Sequence, residues 1–384
     1  MNNCGNYLKK AIFIVVFFVG KKIEFFILCI MKISVCMIVK NEESVLARCL
    51  DCVKQFADEI IIVDTGSTDK TKDIASKYTD KVYDFVWCDD FSAARNYVFS
   101  LATMDYVMWL DADDVLEYSE IEKINQLKLN MTADTYMLKY ATSFDESGKP
   151  IFVYERERIM KKDNRAIWHG FVHEAIVPFG RVEHLDITIQ HRKIATHYTK
   201  RNLNLFRSAL KCGIKFNARE QYYYSRELFY WGYYKKAIKE FKKFMRLPYK
   251  FLPNTIDAIL MLSKCEQRLT NIENAKKWLY EGLNIMPNAE IVCELASIYA
   301  TAGEYDKAIY FYESVLNISK PTIQGFFIRE EYYHLFPLLE LVVLYYKIGN
   351  LDKAKQYHEQ CTQLYPNDKR VIYNNQFFEK QTFS

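Results

Sequence analysis

Several familiar signatures are missing from this chain of 384 residues. Neither GxGxxG nor GxxxxGK[ST] occurs, which excludes the glycine-rich phosphate cradles of dinucleotide enzymes and P-loop NTPases. No uninterrupted apolar run reaches the roughly 20 residues that span a bilayer. Residues 11–20 are apolar, but Lys21, Lys22 and Glu24 interrupt before Phe25-Phe26-Ile27-Leu28-Cys29-Ile30. Joining the two runs would bury charges at roughly 2.5–3.5 kcal/mol each. No small-residue cleavage site follows the first run, so a secretory signal is unsupported. Charge of one sign is also scarce. Lys and Arg number 52 against 48 acidic residues, a net of +4, and no long run of one sign argues for a nucleic-acid partner. The ten cysteines are unevenly spaced, without the pattern of a secreted disulfide scaffold, and read as reduced core residues of a cytoplasmic protein. Cys49-Leu50-Asp51-Cys52 is the single CxxC. It lies in a helical pattern with no second pair for zinc, which favours a structural role over a redox one.

What is present is ample core material: 50% hydrophobic and 16% aromatic residues, enough for two domains. The chain reads as three segments. Residues 1–30 are an apolar extension, 31–201 an α/β domain, and 202–384 an all-helical region. Met31-Lys32-Ile33-Ser34 opens a clean strand pattern, so Met31 is the expected physiological start, with a membrane anchor through residues 11–30 as the alternative.

The stretch Tyr106-Val107-Met108-Trp109-Leu110 reads as a buried strand that ends in Asp111-Ala112-Asp113-Asp114. Asp-x-Asp at a strand end suits a hard divalent cation such as Mg²⁺ or Mn²⁺. The competing reading is a helix cap, with Asp113 or Asp114 capping the segment from Val115. Upstream, residues 33–39 read as a strand, Ser44 to about Phe56 as an amphipathic helix, residues 59–63 as a second strand, and a polar helix runs to about Tyr78. That order implies parallel strands with crossover helices, a sheet whose ligands gather at the carboxyl ends of its strands. Asn41, Glu42, Asp64, Asp111 and Asp113 all fall at such ends and should meet in one crevice.

Four blocks carry a family resemblance: Met37-Ile38-Val39-Lys40-Asn41-Glu42-Glu43, Asp58 through Asp69, Asp90-Phe91-Ser92-Ala93-Ala94-Arg95-Asn96, and Trp109-Leu110-Asp111-Ala112-Asp113. In order and spacing, across residues 31 to about 116, they resemble family 2 glycosyltransferases, inverting enzymes of the GT-A fold with a Rossmann-like nucleotide-sugar-binding sheet. The resemblance implies that Val39 and Glu42 line a nucleotide pocket and that Asp64 reads the base. A carboxylate can accept the imide N–H of uracil, which points to a UDP-sugar donor. It further implies that Arg95 lies near the nucleotide or its phosphates, that Asp111 touches ribose or metal, and that Asp113 holds the divalent metal, Mn²⁺ or Mg²⁺, that neutralises the departing diphosphate. Read on their own, Arg95 could instead be a helix-surface residue in a salt bridge, Asp64 a turn residue and Glu42 a helix-start carboxylate.

Residues 135–140 and 151–154 are expected strands joined by a turn at 145–148. Five of the seven histidines fall between His169 and His197. An inverting transfer needs a general base for the acceptor proton. The resemblance assigns Glu174 that role, with His173 as the alternative, and places His197 as a late ligand to metal or diphosphate, where an imidazole favours Mn²⁺. His169, His184 and His191 read as surface or satisfied structural histidines.

From about residue 202, four units recur, beginning at Gly232, Thr270, Gly303 and Gly349, each with an alanine (Ala237, Ala275, Ala308, Ala354) and a following proline (Pro248, Pro287, Pro321, Pro366). The spacing resembles tetratricopeptide repeats with insertions. Gly ends the turn between paired helices, Ala lets them pack closely, and Pro stops the second helix. Stacked pairs leave a concave face suited to a peptide or to a homodimer. The aromatic cluster Tyr222 to Trp231 reads as packing between helices. The combined architecture resembles sublancin-type S-glycosyltransferases, which modify cysteine in bacteriocin peptides. The expectation is a nucleotide-sugar donor and a peptide, protein or glycan acceptor. A transferase for surface polysaccharide or lipid-linked glycan and a non-catalytic repeat scaffold are the other readings.

Overall fold

Ile12–Val19 (β1) and Lys22–Cys29 (β2) pair as an antiparallel hairpin, with Val19 opposite Lys22 at its turn. The structure, a computed structural model, describes residues 12–19, 22–145, 148–194, 199–321, 325–326 and 328–381. It divides into two compact units, Met1–Lys200 and Arg201–Ser384.

In the first unit the elements follow as β3 (Ile33–Val39), α1 (Leu46–Val53), β4 (Glu59–Asp64), α2 (Thr71–Ala75), β5 (Val82–Asp84), α3 (Phe91–Ser100), β6 (Tyr106–Trp109), β7 (Asp114–Val115), α4 (Tyr118–Leu127), β8 (Thr135–Phe144), β9 (Pro150–Lys161), β10 (Trp168–His169), β11 (Ala175–Ile176) and β12 (Val182–His191). Eight strands form one sheet in the order β5-β4-β3-β6-β9-β8-β12-β7. β3 is parallel to both β4 and β6, and β5 is parallel to β4. The remaining half is mixed, with β9 antiparallel to β6 and β8. The near-continuous apolar runs of β3, β4 and β6 fit strands covered on both faces. Met37, Met108 and Ile62 share one core with α1 and α4, while Cys36, Ile61 and Trp109 share another with α3.

Register explains how distant residues reach one edge. Val39 pairs with Asp64, and Asp64 with Asp84, while Cys36 pairs with Trp109 two residues before Asp111. After β4 and β5 are laid on one side of β3, β6 crosses to the other. This reversal opens a crevice at the carboxyl ends of β3 and β6. Helix α2 is shorter than the polar pattern up to Tyr78 suggests. Past Ala75 the chain tightens, Tyr78 N–H bonding the Ala75 carbonyl, and the Tyr78 hydroxyl reaches across to the Ala47 carbonyl and Asp51 of α1.

The second unit is helical: α5 (Arg201–Lys211), then the hairpins α6/α7 (Ala218–Tyr230, Tyr234–Arg246), α8/α9 (Leu252–Arg268, Ile272–Ile285), α10/α11 (Ala289–Thr301, Tyr305–Val315) and α12/α13 (Leu335–Lys347, Leu351–Leu364), closed by α14 (Lys369–Gln381). Ala237, Ala275, Ala308 and Ala354 are fully buried, as close helix contact requires. Gly232, Gly303 and Gly349 turn the hairpins at φ of +72°, +78° and +79°, and Thr270 takes the same place at +61°, a conformation that a β-branched residue adopts only under strain. Tyr222, Tyr223, Tyr224, Phe229 and Trp231 pack around the α6–α8 core, whereas Tyr230 is about half exposed. Among the described residues, no helix is long and apolar enough to cross a membrane.

Candidate active site

Asp64 ends β4 almost fully buried, and its carboxylate is divided. Oδ1 accepts the backbone N–H groups of Gly66 (2.9 Å) and Ser67 (2.8 Å), while the buried Oδ2 has no hydrogen-bond partner among the described residues. A buried acceptor left open costs on the order of 1–3 kcal/mol, so this atom gains from any donor that reaches it. The loop opposite is pinned to it. Asn41, held at φ +55°, accepts from the Thr68 N–H at 2.8 Å, and its own N–H donates to Ser67 Oγ at 2.9 Å. Glu42 begins the turn into α1: its carbonyl accepts from Val45 and Leu46, and its N–H donates to Thr71 Oγ1 at 2.7 Å. Val39 closes β3 with its side chain in the core and its carbonyl taken by Thr65.

Across the crevice, Arg95 bridges two carboxylates. Its Nε donates to Glu174 Oε1 at 2.7 Å and its Nη2 to Asp111 Oδ1 at 2.8 Å, and the guanidinium lies 5.0 Å from the Trp109 ring and 4.7 Å from the Trp168 ring. Thus the third and fourth sequence blocks meet the segment carrying Glu174, 79 residues from Arg95. Helix α3 sets this up. Asp90 caps it by accepting the Ala93 N–H, and Asn96 locks onto the backbone of Trp168 with two hydrogen bonds. The Glu174 loop is tight, with Gly170 at φ +91° and His173 at +56°. Burial opposes the charge of Asp111, but the Arg95 guanidinium, helped by Arg158, outweighs it and holds the carboxyl well below its usual range.

Beside Asp111 lies an arrangement the sequence did not announce. The short strand β7 pairs with the end of β12, setting His191 against Asp114. His191 Nδ1 lies 3.1 Å from both Asp113 Oδ1 and Asp114 Oδ1, and Asp111, Asp114 and His191 offer donor atoms within 4.8 Å of one another. Burial opposes protonation of His191, but the hydrogen bonds to Asp113 and Asp114 push its pKa up to about 9. Asp114 is fully buried and saturated. It accepts from Tyr140 (2.9 Å), the Asp111 N–H (3.0 Å) and Arg158 (3.0 Å) as well as facing His191. Arg158 is itself fully buried between the Trp109 ring (3.6 Å) and the Tyr140 ring (4.1 Å), with Nε and Nη2 unpartnered among the described residues. Asp114 therefore anchors the group, leaving Asp111, Asp113 and His191 as the side chains with capacity for an ion. Once His191 gives up its proton to an incoming cation, carboxylates with one imidazole form a donor set suited to Mn²⁺, and a divalent metal is compatible with this group.

His191, expected to be a surface or satisfied structural histidine, is hydrogen-bonded to Asp113 and Asp114, and this places it beside Asp111 in the candidate site, which the sequence did not indicate. It lies in the candidate site because β12 carries it there. The available signal was period two: Ile187, Ile189 and His191 continue one face, and the two isoleucines are buried. His184 is surface-exposed beside Glu155 and His169 is exposed. His197 lies outside the described residues. Neither Asp113 nor Asp114 caps a helix, since Glu117 precedes α4 without a side-chain cap. Cys49 and Cys52 donate to the carbonyls of Asp111 and Leu116 at 3.5 and 3.4 Å, and burial pushes the Cys49 thiol well up, so the pair braces the loop that carries the aspartates.

Comparison with known proteins agrees with this architecture. Residues 34–180 match Glycosyl transferase family 2, and residues 289–322 and 338–368 match Tetratricopeptide repeat. A TPR repeat-containing protein of Synechococcus elongatus is 48% identical over 85 residues, covering 22% of this chain and 21% of its own. The SPbeta prophage-derived glycosyltransferase SunS of Bacillus subtilis is 28% identical over 229 residues, 54% of this chain and 53% of its own. An uncharacterized glycosyltransferase of Rickettsia conorii is 35% identical over 106 residues, 28% of this chain and 37% of its own. The chain thus spans between about a fifth and about half of the length of these relatives. With the mixed α/β sheet and the helical hairpins in place, residues 34–180 belong to glycosyl transferase family 2, and the chain joins that domain to C-terminal tetratricopeptide repeats.

Proposed function

We propose that the chain is a metal-dependent, inverting glycosyltransferase that moves a sugar from a UDP-sugar to an acceptor, with the repeats docking a polypeptide acceptor. The observation that carries this reading is the Arg95 bridge, which holds the Asp-x-Asp carboxylate Asp111 and the proposed base Glu174 on one guanidinium. Asp64, with one oxygen capping a turn and the other buried and open, accepts the imide N–H of the base, while Val39 and Glu42 frame that pocket. Asp113, His191 and Asp111 would hold a divalent ion, which would offset the charge of the leaving diphosphate. Glu174, oriented by Arg95, takes the acceptor proton as the nucleophile attacks the anomeric carbon on the face opposite the leaving group. His173, in the same strained turn, is the alternative base.

The test is a panel of UDP-, GDP- and TDP-sugars with Mn²⁺, scored for binding by calorimetry and for hydrolysis by mass spectrometry. A preference for uridine nucleotides and release of UDP are expected. Equal affinity for UDP and GDP rejects the uracil reading, and absence of both binding and turnover rejects the enzyme.

A further inference from the structure

Residues 201–250 carry thirteen Lys and Arg and three acidic residues, although the whole chain nets only +4. The excess is concentrated on α7. Ala237, Phe241 and Phe244 bury one face of that helix. Lys235, Lys239, Lys242 and Arg246, at i, i+4, i+7 and i+11, share the opposite face over roughly 16 Å of helix. All four are exposed, and none forms an ion pair among the described residues. Glu240, the one acid of the helix, is taken by Lys243 at 2.8 Å and by Gln221 at 3.1 Å. At its C-terminal end the stripe runs into a cleft of about 430 Å³ between α7 and α9, where Lys242, Met245 and Arg246 face Lys277 and Trp278. Lys242 Nζ lies 5.8 Å from the Trp278 ring. Of the cleft's two acids, Glu266 is tied to Asn271 at 3.0 Å, while Glu281 is exposed and lines the cleft beside Lys277 and Trp278.

We propose that this face binds an acidic polypeptide segment, with carboxylates along the four basic residues and an apolar side chain in the Trp278 cleft. Charge complementarity selects the class. Four unpaired cations in a row are mutually repulsive and gain most from a partner that brings several carboxylates at once. A bilayer surface is disfavoured because the apolar face of α7 is already used inside the repeat core, so nothing remains to insert. A single-stranded nucleic acid would want successive stacking platforms, and Trp278 alone faces the cleft from the aromatic residues. The inference concerns the repeats and stands apart from the sugar-transfer reading.

The test uses the full chain and a fluorescein-labelled peptide of ten glutamates ending in Leu-Phe, read by anisotropy. Parallel arms use a labelled DNA strand of equal charge and vesicles of mixed phosphatidylserine and phosphatidylcholine. The peptide is expected to bind, to weaken about tenfold between about 50 and 200 mM salt, and to weaken about tenfold again in Lys239→Glu/Lys242→Glu. Lys307→Glu, on α11, should stay within about twofold of the parent as the control for net charge. Circular dichroism verifies that the double variant keeps its helices. No peptide binding, equal loss in Lys307→Glu, indifference to the double reversal, or tighter binding of DNA or vesicles overturns the proposal.

Discussion

Asp64 and Asp114 show two opposite uses of a buried carboxylate. Asp64 keeps one oxygen open. Asp64→Ala should therefore weaken UDP binding by about 1.5–3 kcal/mol, the scale of a hydrogen bond to a charged group, with calorimetry as the readout. An unchanged affinity removes Asp64 from the base pocket. Asp113, by contrast, offers its carboxylate beside His191, and Asp113→Ala should abolish transfer and weaken Mn²⁺ binding while leaving the melting temperature nearly unchanged. Near-normal turnover in metal-supplemented buffer would contradict the metal assignment. Asp114 has no spare capacity, and its partner Arg158 is fully buried. Removing one member strands the other charge, so Arg158→Met should cost about 3–5 kcal/mol in urea unfolding. The double change Arg158→Met/Asp114→Leu should recover part of that loss. A double variant no more stable than Arg158→Met alone would mean that no stranded charge is being relieved.

The strands that build the site are clamped at their far ends as well. Glu59, at the start of β4, accepts from Ser34 of β3, from the N–H and hydroxyl of Thr103 at 2.8 and 2.7 Å, and from Lys81 ahead of β5. Burial alone would raise its pKa, but Lys81, Ser34 and Thr103 together lower it from 4.5 to about 2. The folded value lies below the unfolded one, so the clamp is fully present above about pH 4.5 and is lost as pH falls toward 2. Because the Lys81 side chain is more than a third exposed and its charge is screened, the linked stability is on the order of 1–2 kcal/mol. Glu59→Gln should show that deficit in urea melts at about pH 7, and the gap should shrink to roughly half at about pH 3 and close only as pH falls to about 2. A gap independent of pH would mean that the clamp acts by hydrogen bonds alone.

Strands β3, β4 and β6 were legible in the sequence because their apolar runs end on charged turns. The hairpin units were legible because Gly, Ala and Pro recur at fixed offsets. Arg158 was not, since Glu155-Arg156-Glu157-Arg158 looks like solvated alternation. Only the seating of β9 between β6 and β8 buries it. The period-two face of β12 marks His191 as inward-facing, but not its neighbour Asp114, 77 positions away, which only the strand pairing supplies. The basic excess of residues 201–250 can be counted in the sequence, but its alignment on one face needs the boundaries of α7.

At the scale of the molecule, chemistry and recruitment are assigned to different units. A chain ending at Lys200 should bind the nucleotide sugar with affinity close to that of the full chain but lose most transfer to a polypeptide acceptor, since the residues proposed for donor, metal and base all precede that point. Measuring donor hydrolysis and acceptor transfer side by side on this truncated chain decides it. Loss of both makes the repeats part of the active site, and loss of neither assigns them to some other partner.

The pairing of β12 with β7 also sets a clock on biosynthesis. Asp114 leaves the ribosome 77 residues before His191 does, an interval of roughly 4–15 s at ordinary elongation rates. During that interval the nascent chain carries its carboxylates without their imidazole. The candidate site is then complete while the helical hairpins are still being translated, so a newborn chain assembles its α/β unit before its repeats.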